Sequence, residues 1–569
     1  MTPSIPLGEV RPFGDRALLI GVADPARGRA LARGVRAMPG LEATVETVVG
    51  LATVLVALSD PDLSLGIVQA GVEAALLALT AGASASTPVA GGEDEGTTHT
   101  IPCMFDGPDL DAVATRAGCG AEEVVALLTG ATLTVSVMGF SPGFAYLDGL
   151  PPELATIPRR DSPRPEVPPG SVALANGHAA VYPTASPGGW QLVGRTAYRL
   201  FSTGEPPYAA LAPGDRVRFT VADDAAGQTE VRAVAPAGAE WAPPEGARAV
   251  LEVVVPGLRA ALQDGGRRGV AAIGVPGAQP ADPVSFLLAN RLAGNRDDAS
   301  ALEITAGVTR VRCLQECHVA VVGGEAEVAV DGRMAGPGRV VALDTGQLLQ
   351  IGPLRVGLRA YLSVAGGFLG PVAFGSTASD QLSGLGPGPL AAGQRLHAGP
   401  WSTPLGDHLA EGAAPRVGPG RPVPLRVLAG PQHERFPPDV VKRLAELTFV
   451  VDDRSNRVGL RLRPKDAAPG PAWWGTAEGE LDSQGVVTGA VQVPPGGDPI
   501  VLGPDHATLG GYPVVAVVIS ADHGLLGQCA PGTEVRFVPV DASEAEESAG
   551  ALRRVVERAV IGHFPLAVD

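Results

Sequence analysis

Lysine is almost absent from this sequence, because only Lys442 and Lys465 are lysines among 43 basic residues. A phosphate-binding P-loop requires a lysine within G-x-x-x-x-G-K-S/T, and neither lysine lies in such a run. A Ser-Ser-Lys amidase needs its lysine in a Gly/Ser-rich setting, and covalent biotin needs a lysine flanked by methionines; neither setting is present. We therefore expect no covalent biotin on this chain, and any ATP to bind in another way or on another protein of a complex.

Cysteines and long apolar runs are also scarce. The five cysteines are too few and too scattered for the disulfide framework of a secreted protein. No stretch reaches the ~18 uninterrupted apolar residues of a membrane span, and the first residues lack the basic and apolar regions of a signal peptide. Cys313, Cys317 and His318 are spaced like metal ligands, but their run is strand-like and has no second ligand pair. We expect a cytoplasmic protein with reduced thiols and no metal site.

Positive charge is outweighed by negative charge, with a formal net charge of -17. Nucleic-acid phosphates and anionic membranes are therefore not expected as partners. A length of 569 residues exceeds what one hydrophobic core supports. The 76 glycines and 54 prolines favour short elements joined by tight turns, and 45% hydrophobic residues supply apolar surface for several cores. Several β-rich domains are expected.

Signals for long helices are few. Residues 12–80 alternate strand-like and helix-like runs in βαβα order. Further helices are predicted over 109–130, 282–294 and 542–562, the last acidic at its start and basic later, as the helix dipole favours. Short β-type runs such as HVAVVGG, LRAYLSVAGG and YPVVAVVIS fill the rest. The predicted fold is mainly β with α+β parts.

Three loop-rich stretches, 81–100, 235–248 and 407–422, divide the sequence. Their small, polar or Gly/Pro-rich composition is typical of linkers between domains. The predicted units are an N-terminal α+β domain (1–96), a β domain (97–234), two further β domains (249–407 and 422–541) and a C-terminal helix or tail (542–569).

The run Gly139–Gly143, GFSPG, matches the G-x-S-x-G pattern of a hydrolase nucleophile elbow. In such an elbow the residue after the serine donates its backbone N–H to the oxyanion, and Pro142 has none. A structural or substrate-lining turn is therefore the better interpretation. His178 has the residue type of a general base, but a lone histidine is more often a loop or core residue.

Arginine, glycine and serine concentrate in the runs RRDSPR (159–164), PPGS (168–171), SPGGW (186–190) and GRT (194–196). Arginine forks match carboxylates or phosphates, and glycine pairs let a backbone approach a ligand. The residues alone leave two interpretations open: a ligand site, or the turns of a β-barrel with surface arginines.

These runs resemble a known family. MGFSPGFAYLDGLP, VPPGSVALA and YPTASPGGWQLVGRT, in that order, are similar to the B subunit of bacterial 5-oxoprolinase, also called the Kip-type or allophanate hydrolase subunit 1 family. The resemblance extends over residues 8–222. His178 stands where the family usually has glutamine.

Residues 249–540 resemble the partner family, the C subunit of 5-oxoprolinase, also called allophanate hydrolase subunit 2. The matching runs include VVPGLRAALQDGGRRGV, RAYLSVAGG, FGSTASD, SNRVGLRL, GVVTGAVQVPPGG and DHATLGGYPVVAVVISAD. Two departures stand out: the usual S-G-A-M-D is Ala278–Asp282, AQPAD, here, and a usual methionine is Val458.

The resemblance implies cyclophilin-like β-barrels of the carboxyltransferase type and a fusion of the B and C subunits of 5-oxoprolinase, which acts with a separate A-type partner protein. Such a complex uses ATP, with magnesium as an open requirement, to open 5-oxo-L-proline to L-glutamate. A carboxyltransferase component of a urea carboxylase-like biotin system and a non-enzymatic histidine-kinase inhibitor remain alternatives. A homo-oligomer also stays open.

The resemblance also implies site residues. Catalytic roles are predicted for Arg164, Arg195, Asp264, Asp282, Glu303 and Asp505. Substrate-binding roles are predicted for His178, Ser186, Gly188, Gly189, Gln263, Arg267, Asn290, Arg457, Gln492, Gly511 and Tyr512. A structural role is the competing interpretation for each of them.

Overall fold

The structure, a computed structural model, describes residues 5–41, 44–60, 63–80, 96–162, 164–204, 206–222, 241, 246–418, 420–466 and 481–562. Short β-strands predominate in these ranges, so the predicted mainly β fold is confirmed. None of the described helices is long and apolar enough to cross a bilayer. The predicted linkers 81–100 and 235–248 lie largely outside the described residues, as does Pro163, whereas 407–422 is described except for residue 419; the domain boundaries remain predictions.

The N-terminal unit is a four-stranded antiparallel sheet covered by two helices. Its elements are β1 (Val10–Pro12), β2 (Ala17–Gly21), α1 (Pro25–Arg36), β3 (Val45–Val49), β4 (Thr53–Leu58) and α2 (Leu65–Thr80). The strand order is β1-β2-β4-β3. The Asp24 side chain caps α1 by accepting the Arg27 backbone N–H over 2.8 Å. The long strand-like run over 44–59 is in fact a hairpin, because it turns at Gly50.

The next unit, the first barrel, is a seven-stranded sheet of order β12-β9-β10-β7-β6-β13-β5. Its elements are β5 (Thr98–Cys103), α3 (Leu110–Ala117), α4 (Ala121–Gly130), β6 (Leu133–Met138), β7 (Ala145–Asp148), α5 (Pro152–Ala155), β8 (Arg164–Val167), β9 (Ser171–Ala175), β10 (His178–Val181), β11 (Ser186–Gly188), β12 (Gln191–Arg195) and β13 (Arg216–Val221). A bridge between Met104 and Arg195 brings the two edges together. Gly118, at φ 74°, ends α3 and splits the helix predicted over 109–130.

The second half begins with two sheets that share one core. The elements are β14 (Arg248–Pro256), β15 (Arg259–Gln263), α6 (Pro283–Leu292), β16 (Ala301–Thr305), β17 (Thr309–Cys313), β18 (Cys317–Val322), β19 (Ala326–Val330), β20 (Arg333–Met334), β21 (Val340–Leu343), β22 (Leu348–Leu354), β23 (Arg359–Val364), β24 (Phe368–Leu369), β25 (Arg395–Ala398) and β26 (His408–Leu409). The sheets have the orders β20-β19-β22-β17-β14-β25-β24 and β15-β16-β23-β18-β21. Their inward side chains form one hydrophobic cluster, and we call this unit the two-sheet module.

The last unit is the closed barrel, of order β27-β34-β31-β32-β29-β28-β35. The elements are β27 (Val423–Ala429), α7 (Val440–Glu446), β28 (Phe449–Val451), β29 (Gly459–Pro464), β30 (Gln484–Gly485), β31 (Ala490–Gln492), β32 (Ile500–Leu502), β33 (Leu509–Gly510), β34 (Val514–Val518), α8 (His523–Gln528), β35 (Glu534–Pro539), α9 (Ala542–Glu557) and β36 (Val560–Ile561). After α9 the chain returns to pair β36 with β26. A short strand therefore lies within the stretch predicted as a loop at 407–422.

The first half, up to residue 222, packs directly against the second half. One hydrophobic cluster contains Leu55 of the N-terminal sheet, Phe144 of the first barrel, and Leu509 and Val517 of the second half. The Gly143 backbone N–H also donates to a second-half carbonyl, at residue 273, over 3.2 Å. The two halves form one packed body.

Candidate functional site

A buried arginine, Arg457, links the closed barrel to the two-sheet module. Its Nη1 donates to Glu303 Oε1, in β16, over 2.6 Å. Its Nε and Nη2 donate to the two oxygens of Asp505 over 2.9 and 2.7 Å, a bidentate geometry that suits the guanidinium fork. Two of the predicted catalytic carboxylates, Glu303 and Asp505, therefore converge on one predicted binding residue.

Glu303 is held as an anion. Arg359 Nε lies 3.3 Å from Glu303 Oε1, and the Tyr361 hydroxyl donates to Oε2 over 2.7 Å. Burial acts to raise the pKa of Glu303, but the charges of Arg457 and Arg359 outweigh it and lower the pKa to about 2. Glu303 is therefore poorly suited to carry protons near neutral pH.

A cavity of about 30 Å³ lies beside this ion network, lined by Gln279, Arg359, Arg457 and Gly527 among others. That volume is room for about two water molecules and not for an organic substrate. The network therefore joins loops of the closed barrel to the two-sheet module.

Asp282, predicted as catalytic, caps helix α6. Its Oδ1 accepts the Ser285 backbone N–H over 3.0 Å, and its Oδ2 accepts from the Ser285 hydroxyl and from Gln528 Nε2 over 2.5 and 2.7 Å. Burial raises the pKa of Asp282 despite these bonds. In the altered loop before it, Ala278 is fully buried at φ 51°, a region that residues with a side chain rarely adopt. The geometry gives Asp282 an anchoring position.

The end of β15 and the turn after it bind the segment that follows β24. Gln263 Nε2 donates to the Ser379 carbonyl over 2.8 Å, and Arg267 Nη2 donates to the Ala378 carbonyl. Asp264 accepts from two hydroxyls and one backbone N–H of residues 376–377. These three predicted site residues lie together and are at most 9% exposed.

Several polar atoms at this position have no hydrogen-bond partner within the described part of the chain. They are Gln263 Oε1, Arg267 Nε and Nη1, and Asp380 Oδ2. Burial, followed by the charge of Asp505, raises the pKa of Asp380 to about 6. Buried polar groups without partners are rare in native proteins and indicate a ligand or water. The set offers one acceptor, two donors and a group that can exchange a proton near neutral pH.

A second cluster lies in the first barrel, around Asp109. Asp109 Oδ1 accepts from Arg160 Nη1 over 3.0 Å and from Arg164 Nη2 over 2.8 Å, and Oδ2 accepts the Leu192 backbone N–H over 2.7 Å. The remaining Nε of Arg160, Nη1 of Arg164 and Nε of Arg159 are buried without a partner in the described ranges. One carboxylate thus orients two guanidiniums and leaves donors free for a ligand.

Three predicted binding residues border these arginines. Gly188 opposes Arg164 in the β8–β11 pair, and a Cβ at Gly188 would come 2.4 Å from the Tyr182 hydroxyl oxygen, so only glycine fits. The Gly189 carbonyl accepts the Arg160 backbone N–H over 2.7 Å. Ser186 is 6% exposed, and its hydroxyl has no partner in the described ranges.

The two halves meet close to this cluster. The Tyr146 hydroxyl lies 3.2 Å from the Ser483 Oγ of the second half. His178 Nδ1 lies 2.6 Å from Asp148 Oδ1, and the His178 ring meets the Tyr146 ring edge-on at 5.7 Å. Burial raises the pKa of Asp482, against an opposing effect of His178. His178 is therefore a paired residue at the junction of the halves.

Other predicted residues lie elsewhere. The Arg195 side chain is 53% exposed and pairs with Asp106 over 2.9 Å, so it points away from both clusters. Asn290 binds Ala299 and Ser363 inside the two-sheet module. Gln492 in β31 and the neighbours Gly511 and Tyr512 have no side-chain bond to the Arg457 network within the described ranges.

The GFSPG run is a turn at the junction. Ser141 is 2% exposed and is bonded to no histidine or carboxylate of the described residues, and Phe140 adopts φ 69°. A Cβ at Gly139 would come 2.3 Å from Leu509, and Gly143 bonds the second half. This placement agrees with a structural turn rather than a nucleophile.

Residues of these sites that were not singled out from the sequence include Asp109, Arg359, Tyr361, Asp380 and Gln528. Arg359 and Tyr361 lie in the matched run RAYLSVAGG and Asp380 in FGSTASD. A charged residue opening an apolar strand is the signal that marks Arg359. Gln528 carries no such signal, since its role depends on contacts with Asp282 and β23.

Comparison with known proteins identifies the class. The carboxyltransferase domain, subdomain C and D, matches residues 8–211, and subdomain A and B of that domain matches residues 273–539. A crystal structure of TTHA0988 is similar over 92% of this chain and 100% of its own, with 31% identity and a TM-score of 0.76. The chain therefore belongs to the carboxyltransferase-domain family.

Two curated relatives narrow the resemblance. The C subunit of 5-oxoprolinase from Escherichia coli (strain K12) is 32% identical over 312 residues, 54% of this chain and 97% of that protein. The B subunit of 5-oxoprolinase from Escherichia coli O157:H7 is 44% identical over 130 residues, 22% of this chain and 59% of that protein. The chain thus has the make-up of a fusion of B-type and C-type parts, as its motifs predict.

Proposed function

We propose that this chain is the fused B and C component of an ATP-dependent 5-oxoprolinase, which acts with a separate A-type partner protein. The proposal rests on the position of the buried polar atoms without partners, which lie near the contact between the two halves in both clusters. The loop that carries Arg267 contacts the first half at Gly274, whose added Cβ would come 2.4 Å from the Ser141 carbonyl. The arginine cluster adjoins the Tyr146–Ser483 contact. Both sites thus lie near the contact between the two halves.

The second-half site suits a lactam that also carries a carboxylate. Gln263 Oε1 accepts the lactam N–H, and the free N–H groups of Arg267 Nη1 donate to the carboxylate. Asp380, with its pKa of about 6, delivers a proton to the lactam nitrogen as the C–N bond breaks and water adds to the carbonyl carbon. ATP, when bound, would supply the phosphoryl group that activates the poorly electrophilic amide carbonyl, giving ADP, and that group would leave as inorganic phosphate when water forms the carboxylate. Because the site is buried, we expect the 264–275 loop or the 376–381 segment to move for entry.

The test combines the purified chain with an A-type 5-oxoprolinase protein and measures phosphate release. Release should require both ATP and 5-oxo-L-proline. Arg267→Gln should lower kcat/KM about 100-fold, because the charge-assisted hydrogen bonding to the substrate carboxylate is lost. Arg268→Gln is the matched control, since Arg268 is the exposed neighbour in the same loop. No turnover by a folded complex, or equal rates for Arg267→Gln and the wild type, would contradict the proposal.

Two other functions make different predictions. A urea carboxylase-like carboxyltransferase would carboxylate urea from a carboxylated biotin carrier without 5-oxo-L-proline. A histidine-kinase inhibitor would bind a kinase and release no phosphate from ATP. Running these two assays on the same preparation separates the three functions.

A further inference from the structure

Three arginines of the first barrel leave buried N–H groups without partners in the described ranges. These are Arg159 Nε, Arg160 Nε and Arg164 Nη1, and the Ser186 hydroxyl shares this property. An unpaired buried donor costs free energy that native proteins avoid unless a ligand, ion or water takes the bond. Four such donors within 28 residues of sequence, 159–186, are therefore a sign of a binding site.

The donors lie together in space. Asp109 Oδ1 accepts from Arg160 and Arg164 at once, over 3.0 and 2.8 Å, which sets the two guanidiniums side by side. Gly188 opposes Arg164 across the β8–β11 pair, and Ser186 is two residues away on the same strand. Because Gly188 has no side chain, the Tyr182 hydroxyl packs directly against its backbone.

Two phenols complete the surroundings. Burial raises the pKa of Tyr182, and the guanidiniums of Arg159 and Arg164 are near enough to oppose that rise. Arg159 acts in the same direction on the pKa of Tyr146. The charge of Arg159 therefore acts on both hydroxyls, and the charge of Arg164 acts on that of Tyr182.

The local charge is positive in an acidic protein. Arg160 and Arg164 both pair with Asp109, and Arg159 has no ion pair with a carboxylate of the described residues. The whole chain has a net charge of -17, which makes this excess exceptional. The three arginines are half-buried as residues, but their unpartnered donor atoms are fully buried, so a side chain must shift for a ligand to reach them.

We propose that Arg159, Arg160, Arg164 and Ser186 form a binding site for a phosphoryl group. Donors on three separate arginines and a hydroxyl match a tetrahedral anion with several oxygens, whereas one arginine fork already satisfies a planar carboxylate. The inference goes beyond the proposed function, because it assigns phosphate binding to the first half of this chain and requires no turnover.

The test is a calorimetric titration of the full chain with inorganic phosphate, with chloride added to hold the ionic strength constant. Arg159→Gln should weaken phosphate binding at least about tenfold, because one charge-assisted hydrogen bond and one charge are lost. Ser186→Ala should weaken it less. Arg218→Gln should keep the wild-type affinity, since Arg218 is exposed in the same half and donates to Thr132. Arg159 pairs with no described carboxylate, so its variant is expected to fold, and circular dichroism checks this.

Further ligands identify the source of the phosphoryl group. Competition by ATP but not by adenosine indicates a nucleotide phosphate, and phosphate binding without competition by ATP indicates a free or smaller phosphate. Acetate binding as tightly as phosphate would overturn the tetrahedral specificity. Equal phosphate affinity in Arg159→Gln and the wild type, or no saturable binding, would overturn the site. None of these results depends on 5-oxo-L-proline turnover, so the two proposals fail separately.

Discussion

Arg457 and Glu303 form an ion pair of 2.6 Å, although 154 residues separate them and each side chain is only 3% exposed. The pair joins the closed barrel to the two-sheet module. Burying two charges is costly, and here Asp505, Arg359 and Tyr361 complete the hydrogen bonding that offsets this cost. Removing either side chain of the pair therefore leaves the other charge buried without full compensation.

Glu303→Gln should destabilise the protein by about 3–5 kcal/mol at pH 7, because it leaves two buried arginines undercompensated. The folded pKa of about 2 lies below the ordinary 4.5, so this stabilisation is present above pH 4.5 and is lost as pH falls toward 2. Urea denaturation of wild type and variant from pH 8 to pH 3 measures the difference. Glu316→Gln, at an exposed glutamate, should change stability by less than about 0.5 kcal/mol. A constant difference at all pH values would contradict the assignment.

Asp380→Asn should have the opposite pH dependence. Burial and Asp505 raise the pKa of Asp380 from 3.8 to about 6, so the stability that its protonated form contributes is present below pH 3.8 and is lost as pH rises through 6. The variant cannot ionise and should gain roughly 2 kcal/mol relative to the wild type between pH 4 and pH 8. Denaturation curves at both pH values measure this. Asp111→Asn, at an exposed position, serves as the control, and an unchanged gap for Asp380→Asn would refute the raised pKa.

Gly274→Ala should weaken the contact between the halves. Gly274 has φ 81°, and an added Cβ would come 2.4 Å from the Ser141 carbonyl oxygen. Gly269, in the same loop at φ 76°, has nothing within 4 Å of an added Cβ. Both alanines suffer the left-handed strain, so Gly274→Ala should be less stable than Gly269→Ala by about 1–3 kcal/mol from the clash alone. Thermal unfolding of the pair measures it, and equal stabilities would show that the loop moves freely away from the first half.

Of the five cysteines, Cys119 alone should react quickly with an aromatic disulfide in the native protein. Cys103, Cys313, Cys317 and Cys529 are buried, and Cys119 is partly exposed. Burial raises the pKa of Cys103 and Cys529 to about 12, which leaves almost no thiolate at neutral pH. Counting released thiolate should give one fast equivalent, none in Cys119→Ser, and five after denaturation. Two or more fast equivalents from the native wild type would contradict the described burial.

The fold follows from the sequence where local signals suffice. Helix α9 lies within its predicted range, because Asp541 and Glu544 form a capping box. Helices α7 and α8 went unpredicted, because segments of seven and six residues are helical only through packing, Val440 and Leu444 against the closed barrel in the case of α7. Motif order was enough to expect two cyclophilin-like halves in one chain.

The site was predictable residue by residue only in part. The motifs contained Glu303, Arg457 and Asp505, but their convergence depends on contacts between separate modules that no local pattern encodes. Arg195 lies in a neighbouring matched run of the first barrel, yet it ends β12 as the one exposed residue of that strand. The face on which Arg195 lies is set by the alternation of side chains along β12, which the bulge between Leu192 and Gly194 shifts. That bulge is seen in the pairing of β12 with β9 and not in the sequence.

In both barrels of this chain the first and last strands run side by side in the same direction, β5 with β13 and β27 with β35. Each barrel therefore receives the polypeptide at one rim and releases it at the opposite rim, roughly 17 Å away for a six-residue strand. Because its two termini lie at opposite rims, such a barrel can be joined to the next domain by a short linker, and no segment has to return along the barrel. Such cassettes suit an architecture in which separate polypeptides of one lineage become a single polypeptide in another.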